Sequence, residues 1–322
     1  KLSKSPSVEK VICPNGNPGI AQVAETPALE GSPSPKEWAD FAKNQNVDLV
    51  TIGPEAPLAE GVADACLEAG LKVFGPTKAA ARIEASKSFS KEIMDSAGIP
   101  TARSGSFSVS AKALDYAKEL GLPVVVKADG LAAGKGVSIC ETQEQLEKAV
   151  HENLDENKFG ESSQKILVEE FLQGEEASIL AFCDGKDVFP LVPSQDHKRA
   201  YDDDKGPNTG GMGTYAPAPI VTEEILAASL SQVLRPCIDE MARRGTPYLG
   251  VLYAGLMIHP DGGIKVLEFN CRFGDPETQV VLPLLDGDLG EIMLACANGE
   301  LAKYSSGMMT TSEGKKSSIA IK

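Results

Sequence analysis

The sequence predicts an α/β protein with more than one domain. Short apolar stretches at residues 8–13, 47–52 and 71–74 have the length and β-branched content of buried strands. Helical patterns over residues 36–46 and 58–69 alternate with them. Strand–helix–strand alternation predicts a parallel sheet with helices on its faces. The 322 residues exceed one ordinary hydrophobic core, which predicts two or three domains.

Composition limits the classes of partner. The chain is 42% hydrophobic and 24% charged, which is typical of globular proteins. The formal net charge of -15 argues against nucleic acid or an anionic membrane surface as a partner. It still allows small phosphorylated substrates, because a few local cations and backbone amides can hold them. Seven cysteines with no C-x-x-C pair indicate reduced thiols, and three histidines make a histidine-rich metal site unexpected.

The remainder of the chain continues to mix helices and strands. A helix is predicted over residues 86–97, where Gly98 and Pro100 end it. Residues 194–219 are polar and rich in glycine and proline, and they predict a long irregular loop, which in a compact domain is usually either functional or disordered. The other predicted helices span residues 111–120, 144–154 and 223–244, and the strands span 123–128, 137–140, 166–171, 177–182, 188–192, 251–259 and 263–269.

A glycine-rich segment follows the predicted strand that ends at Lys127. It contains Gly134, Lys135 and Gly136 among other small residues. Small side chains would let the loop close over a polyphosphate, and the two lysines could offset its charge. A flexible surface hairpin with solvated lysines explains the pattern equally well. The segment is not a G-x-x-x-x-G-K-[ST] loop.

An acid, an amide and a guanidinium follow one another on a second strand. Alternation puts Glu268 and Asn270 on one face of the strand, and Arg272 falls on the same face. Carboxylate and amide oxygens suit Mg²⁺, and an arginine can bind a carboxylate or phosphate with two hydrogen bonds. Because burying such groups without a purpose is costly, the pattern favours a functional site.

Three further segments are less decisive. Glu169, Phe171, Leu172 and Glu176 combine a strand edge, which could read an adenine, with acids, which could hold a ribose; a solvated hairpin edge is the simpler explanation. The segment Gln195–Arg199 and the glycine-dense run at 206–213 could approach a ligand closely or form a disordered connector. Residues 15–19 could cradle a phosphate or form an ordinary turn.

Taken in order, the motifs resemble the ATP-grasp superfamily, and within it the phosphoribosylamine–glycine ligase family. The resemblance is carried by G-L-A-A-G-K-G, E-E-F-L-x-G-E-E-A-S, Q-D-H-K-R, G-P-N-T-G-G-M-G and L-E-F-N-C-R-F-G-D-P-E. It implies a Rossmann-like N-terminal domain at 1–80 that is truncated at its start. An ATP-grasp domain of two α+β subdomains would follow at 81–305, with a lid at about 108–175. Residues 306–322 would begin a C-terminal domain that is largely absent.

The resemblance also implies residue roles. Arg272, Lys127 and Asp275 would face the reacting centre, and Glu268 with Asn270 would bind the metal. The residues implied for the nucleotide are Lys87, Lys127, Lys135, Gly134, Gly136, Glu169, Phe171, Leu172 and Glu176. Those implied for the other substrates are Asn15, Gly16, Asn17, Gly19, Glu55, Pro57, Asp196, Lys198, Gly210, Gly211, Met212 and Arg272.

The implied reaction joins glycine to 5-phosphoribosylamine through an acyl phosphate, with ATP and Mg²⁺, or Mn²⁺ in its place. No nucleic acid or membrane partner is expected. The chain would act as a monomer, or fused to other purine enzymes, in the cytoplasm or in a plastid or other organelle if a targeting segment were removed. Two alternatives remain open: another ATP-grasp ligase of purine metabolism, and a catalytically silent nucleotide-binding protein.

Overall fold

The computed structural model describes residues 1–132, 136–156, 158, 160–202, 205–305 and 320–321. Helices and strands alternate through these residues, which confirms the α/β prediction. The first helix, α1 (Pro35–Asn44), begins with a capping box in which Ser34 and Glu37 bond each other's backbone amides. Strands β1 (Val50–Thr51) and β2 (Val73–Phe74) pair in parallel, as the alternation predicted.

Two predictions for the N-terminal region need correction. Residues 8–13 do not form a strand, because their ladder pairing is limited to a single bridge between Ile12 and Glu25. The helix predicted over 58–69 is two helices, α2 (Glu55–Glu60) and α3 (Val62–Glu68). Gly61 separates them because its φ of 99° is left-handed and cannot continue a right-handed helix.

Two consecutive helices connect this region to the rest of the chain. They are α4 (Lys78–Ala85) and α5 (Lys87–Ala97). Gly98 ends α5, as predicted, and it does so in a left-handed conformation. Phe89, Ile93 and Met94 of α5 are buried in the largest hydrophobic core. This packing fixes the start of α5, where Lys87 lies.

A first antiparallel sheet has the strand order β3-β6-β4-β5. Helices α6 and α7 cover one of its faces and enclose a small core of their own. The elements are β3 (Ser104–Phe107), α6 (Ser110–Leu120), β4 (Val124–Ala128), β5 (Val137–Cys140), α7 (Gln143–Leu154) and β6 (Ile166–Glu170).

A second antiparallel sheet has two buried faces. Its order is β12-β11-β7-β8, with β7 (Glu175–Asp184) and β8 (Val188–Pro190) followed later in the chain by β11 (Leu249–Ile258) and β12 (Ile264–Asn270). Side chains of β7 and β11 alternate between two cores, one shared with α5 and the other with a C-terminal helix. Such two-sided burial explains their nearly continuous apolar sequences.

The segment predicted as a long irregular loop is a β-hairpin instead. Strands β9 (Gln195–Tyr201) and β10 (Lys205–Tyr215) pair antiparallel with two irregularities in register. Backbone pairing does not require apolar side chains, so a ladder rich in glycine and polar residues gave no strand pattern in the sequence.

The long helix predicted over residues 223–244 is present but changes its pitch. It runs through α8 (Glu223–Ser229), a π-helical turn at Leu230–Leu234 and α9 (Arg235–Arg243). Pro236 has no amide hydrogen to bond the carbonyl of Gln232, which accounts for the wider turn there.

The described part of the chain ends with short elements packed against the second sheet. Leu289, Ile292 and Met293 of the second and longest of these helices join the core on that side of the sheet. The elements are α10 (Glu277–Leu284), β13 (Leu285–Asp286), α11 (Leu289–Asn298), α12 (Ala302–Ser305) and β14 (Ala320–Ile321), and β14 pairs with β13.

Candidate active site

A cavity of about 460 Å³ lies between the two antiparallel sheets. Strands β4, β5 and β6 of the first sheet face β12 of the second across it, and α5 closes one side. Its apolar wall includes Ile83, Met94, Val125, Val137, Ile139, Leu172, Met257 and Leu267. A cavity with apolar walls and a few convergent charged groups is typical of a small-molecule site.

Two buried lysines share one carboxylate in this cavity. The Nζ atoms of Lys91 and Lys127 lie 3.1 and 2.8 Å from opposite oxygens of Glu169. Burial alone would raise the pKa of Glu169, but the two ammonium groups outweigh it and hold that pKa below its usual value. Glu169 is therefore ionised at neutral pH. Burial lowers the pKa of Lys91, and the charge of Glu169 opposes that effect; with both lysines protonated, the cluster of three side chains carries a net positive charge.

A third lysine comes from the first turn of α5. Lys87 Nζ donates to the carbonyl of Gly130 at 3.3 Å, and Asp129 anchors this end of α5 by accepting from Ser88 N at 2.6 Å. Burial lowers the pKa of Lys87, and the nearby negative charge of Glu268 opposes that effect. The cavity thus brings Lys87 and Glu268 within electrostatic reach of each other.

Two polar residues near the end of β12, Glu268 and Asn270, line the cavity together. An irregularity in the β11–β12 register, between the pairs Gly255–Glu268 and Leu256–Val266, leaves Leu267 as an extra residue. Val266 and Phe269 consequently pack in the core, while Glu268 and Asn270 border the cavity. The oxygens of Glu268 and Asn270 are the hard donors that Mg²⁺ prefers.

Arg272 follows β12 and is held by two carboxylates from the N-terminal region. Its Nε lies 3.2 Å from Glu55 Oε2 and its Nη2 lies 3.0 Å from Glu84 Oε1. Glu84 also accepts from the amide of Cys271 at 2.7 Å. Burial raises the pKa of Glu84, and the charge of Arg272 opposes this shift. These bonds fix the guanidinium at the cavity wall.

The opposite end of the cavity is the connection between the two sheets. Phe171, Leu172 and Glu176 line it. Next to them, Glu170 accepts from Lys265 Nζ at 2.7 Å and from Arg103 Nε at 2.9 Å, so it ties β6 to β12. Burial raises the pKa of Glu170, but these hydrogen bonds outweigh that effect and lower the pKa to about 2.

Two family models together match most of the chain. The N domain of phosphoribosylglycinamide synthetase matches residues 1–84, and the ATP-grasp (A) domain of the same enzyme matches residues 85–278.

The chain belongs to the phosphoribosylglycinamide synthetase family.

Curated proteins and solved structures agree with this family. The phosphoribosylamine–glycine ligase of a Nostoc species is 49% identical over 304 residues, which are 94% of this chain and 71% of that protein. The Escherichia coli protein of the same name is 48% identical over 95% of this chain and 72% of that protein. The crystal structure of the Thermotoga maritima ligase matches with a TM-score of 0.74 at 30% identity. The match covers 90% of this chain and 70% of that ligase.

A more distant structure shows the fold alone. The biotin carboxylase of Campylobacter jejuni has a TM-score of 0.72 at 18% identity, covering 96% of this chain and 67% of its own.

As a phosphoribosylglycinamide synthetase family member, the chain is an ATP-dependent carbon–nitrogen ligase of purine biosynthesis. It spans about 70% of the length of these relatives.

Most residues that the family resemblance implied for the nucleotide and metal line the cavity. Gly136 does so too, and a Cβ there would lie 2.7 Å from that of Ala132. Gly134 and Lys135 lie outside the described residues. Those that line the cavity are Lys87, Lys127, Gly136, Glu169, Phe171, Leu172, Glu176, Glu268 and Asn270, and the two further residues implied for the reacting centre, Arg272 and Asp275, line it as well.

The β9–β10 hairpin approaches the same cavity. Asp196 and Thr209 line it, and a Cβ on Gly211 would lie 2.7 Å from the ring of Pro276, beside Asp275. Met212, by contrast, is 63% exposed and does not line it. The backbones of Lys198 and Gly210 run in β9 and β10; the side chain of Lys198 is outside the described structure.

Some of the residues predicted for substrate do not reach the cavity. Of the N-terminal candidates only Glu55 lines it, whereas Pro57 and residues 15–19 do not. The loop amides are also engaged: Asn15 N and Gly16 N donate to backbone carbonyls, and Gly19 N donates to Asn17 Oδ1 at 3.0 Å. These three amides are unavailable to a phosphate in this conformation.

Sequence reasoning missed Glu84, Lys91 and a buried Tyr253–Glu277 pair. Tyr253 donates its hydroxyl to Glu277 Oε1 at 2.8 Å, and all four residues line the cavity. Lys91 was recognisable from its spacing, because it lies four residues after Lys87 and therefore on the same face of the helix. Glu84 and Glu277 had none, because their partners are distant in sequence.

The described residues contain no group of three or more His, Cys, Asp or Glu side chains suited to a metal ion. A divalent ion at Glu268 and Asn270 would therefore need further oxygens from the bound nucleotide or from water. Within the described ranges, no helix is long and apolar enough to cross a membrane.

Proposed function

We propose that this chain joins glycine to 5-phosphoribosylamine at the expense of ATP, giving glycinamide ribonucleotide, ADP and phosphate. The observation that carries the proposal is the single cavity that contains Lys87, Lys127, Glu268, Asn270 and Arg272. The curated relatives named phosphoribosylamine–glycine ligase, nearly half identical to this chain, support the choice of substrates.

ATP would lie along the cavity with its adenine at the connection between the sheets. Glu169 and the backbone at Phe171 and Leu172 would read the adenine edge, and Glu176 would accept from the ribose hydroxyls. Lys87 and Lys127 would hold the phosphates. The segment that contains Gly134, Lys135 and Gly136 would cover the phosphates and exclude water.

Glu268 and Asn270 would hold Mg²⁺, or Mn²⁺ in its place. One carboxylate and one amide oxygen fit a hard ion that keeps several phosphate or water ligands. When bound, the ion would offset charge on the transferred phosphoryl group. The neighbouring Lys87, whose pKa responds to Glu268, would share that charge neutralisation.

The reaction would proceed in two displacements. A carboxylate oxygen of glycine attacks the γ-phosphorus, the bond to the β,γ-bridging oxygen breaks, and ADP leaves. The amine of phosphoribosylamine then attacks the acyl carbon of glycyl phosphate, the C–N bond forms, phosphate leaves and the nitrogen loses a proton. Arg272 would orient and neutralise the reacting anions, and Asp275 would lie beside the amine. No step requires a covalent bond to the protein.

The amine substrate would occupy the end of the cavity near Glu55 and the hairpin. Asp196, Lys198, Gly210 and Gly211 of the hairpin would enclose it, whereas Met212 is too exposed to take part. Nearness of Gly211 to Pro276 and Asp275 supports this part of the proposal. We also propose that the chain acts as a monomer in the cytoplasm, which agrees with its seven unpaired thiols.

Replacing the metal-binding carboxylate tests the proposed site. Glu268→Ala should abolish ADP release while the chain unfolds at a temperature close to that of the wild type, since Glu268 borders a cavity rather than the core. Glu119→Ala, on the exposed face of α6, is the matched control and should keep full turnover. Wild-type turnover by Glu268→Ala would refute the metal assignment.

A further inference from the structure

Lys91 is a buried lysine of the cavity whose hydrogen-bonding capacity is fully used. Its ammonium group has three donors. They are matched by Glu169 Oε1 at 3.1 Å, Thr101 Oγ1 at 2.8 Å and the carbonyl of Ala102 at 3.1 Å. Only 8% of the side chain is exposed. Lys91 therefore has no donor left for a ligand in this conformation.

Lys127 differs from Lys91 in this respect. Its ammonium bonds Glu169 Oε2 at 2.8 Å and the carbonyl of Leu267 at 3.1 Å. Two of its three donors are thus used among the described residues, and the third remains for a molecule in the cavity. Of the two lysines on Glu169, only Lys127 is in a position to bind an anion.

Lys91 changes the net charge of the cluster that it forms with Glu169 and Lys127. Lys127 and Glu169 alone would form a neutral pair, and the carboxylate would compete with a phosphate for the ammonium of Lys127. With Lys91 also bound to Glu169, the cluster has one excess positive charge. Lys91 is itself tied to the second sheet, because Thr101 Oγ1 donates to the carbonyl of Val266 at 2.8 Å.

We propose that Lys91 is a positioning residue for the nucleotide: it holds Glu169 in place as a carboxylate and so leaves the charge of Lys127 available to the phosphates. The inference rests on the proposed function, because it takes ATP to be the ligand of this cavity. A merely structural Lys91 would stabilise the fold without distinguishing a phosphorylated nucleotide from its nucleoside.

The test compares the binding of ATP and of adenosine to the full chain by isothermal titration calorimetry. For Lys91→Met, ATP affinity should fall by about tenfold or more, as expected for losing one charge near a polyphosphate, and by at least about threefold more than adenosine affinity, because adenosine contacts Glu169 through its adenine but has no phosphates. Lys91→Arg should keep most of the preference for ATP. Lys118→Met, on the exposed surface of α6, is the control and should bind as the wild type.

A double variant isolates the charge effect. Lys91→Met combined with Glu169→Gln removes the competing carboxylate as well, so part of the preference for ATP over adenosine should return. Equal weakening of ATP and adenosine by Lys91→Met, or no weakening of either, would overturn the proposal. If that single variant does not fold, loss of the ATP preference in Lys91→Arg would overturn it instead.

Different results would refute the proposed function and the proposed role of Lys91. Wild-type chain that binds ATP but releases no ADP with glycine and phosphoribosylamine would refute the ligase activity. The ratio of ATP to adenosine affinity in the Lys91 variants would still decide the role of Lys91.

Discussion

Gly174 connects the two sheets at the proposed adenine end of the cavity, and alanine should not fit there. Its φ is 150°, a conformation that residues with a side chain rarely adopt. A Cβ built at this position would lie 2.3 Å from the carbonyl oxygen of Ile258 and 2.9 Å from its carbon. Both are backbone atoms of β11, so no side-chain rotation can relieve the contact.

The size of the effect follows from these distances. Real Cβ contacts essentially never fall below 3.0 Å, so the backbone must move by about 0.7 Å to admit the methyl group. Because this contact adds to the strain of the positive φ, we expect Gly174→Ala to lower the free energy of unfolding by about 2–4 kcal/mol. The shift would displace Phe171 and Leu172 and raise the KM for ATP by on the order of tenfold.

Urea unfolding and steady-state ADP release measure the two effects. Gly262→Ala is the matched control, because Gly262 also has a positive φ (85°) but has open space around it. Gly262→Ala should lower the free energy of unfolding by only about 1–2 kcal/mol and leave the KM for ATP unchanged. If Gly174→Ala kept the wild-type KM, or if both variants raised it equally, the geometric reasoning would be wrong.

Three further predictions concern charge and thiols. Arg272→Lys should lower kcat on the order of 100-fold with little change in the KM for ATP, since an ammonium cannot bridge two carboxylates as the guanidinium does; an unchanged kcat would contradict this. Pairing lowers the pKa of Glu170 to about 2, so its stabilisation is complete above about pH 4.5 and is lost as pH falls toward 2. Because solvent screens the pair, Glu170→Gln should cost about 1 kcal/mol in urea unfolding at pH 7, a difference that shrinks below pH 4.5; a constant difference would refute it. Iodoacetamide at pH 8 should modify Cys13 first by mass spectrometry and leave turnover intact, since the other six cysteines are buried; rapid modification of Cys140, whose pKa burial raises to about 11, would be inconsistent with the fold.

Elements with a strong apolar period were predictable from the sequence. The strand Val137–Cys140 was predicted with its observed bounds, and helix α5 to within one residue. The failures have a common physical origin. The β9–β10 ladder depends on backbone pairing, and the segment at 8–13 is apolar but pairs through one bridge only.

The site was predictable where its residues lie on one strand or directly after it. The spacing of Glu268, Asn270 and Arg272 was enough to bring them to one cavity, although the irregular residue Leu267 lies just before them. Buried charges such as Glu84 and Lys91 were not predictable, because their partners lie on other elements and tertiary packing alone brings them together.

The central claim is tested most directly by ADP release from the full chain with Mg²⁺-ATP, freshly made phosphoribosylamine and glycine, each omitted in turn. The account predicts that turnover requires both glycine and the amine, and that formate and bicarbonate do not replace glycine. ADP release that is the same without glycine, or that is supported equally by formate or bicarbonate, would contradict it.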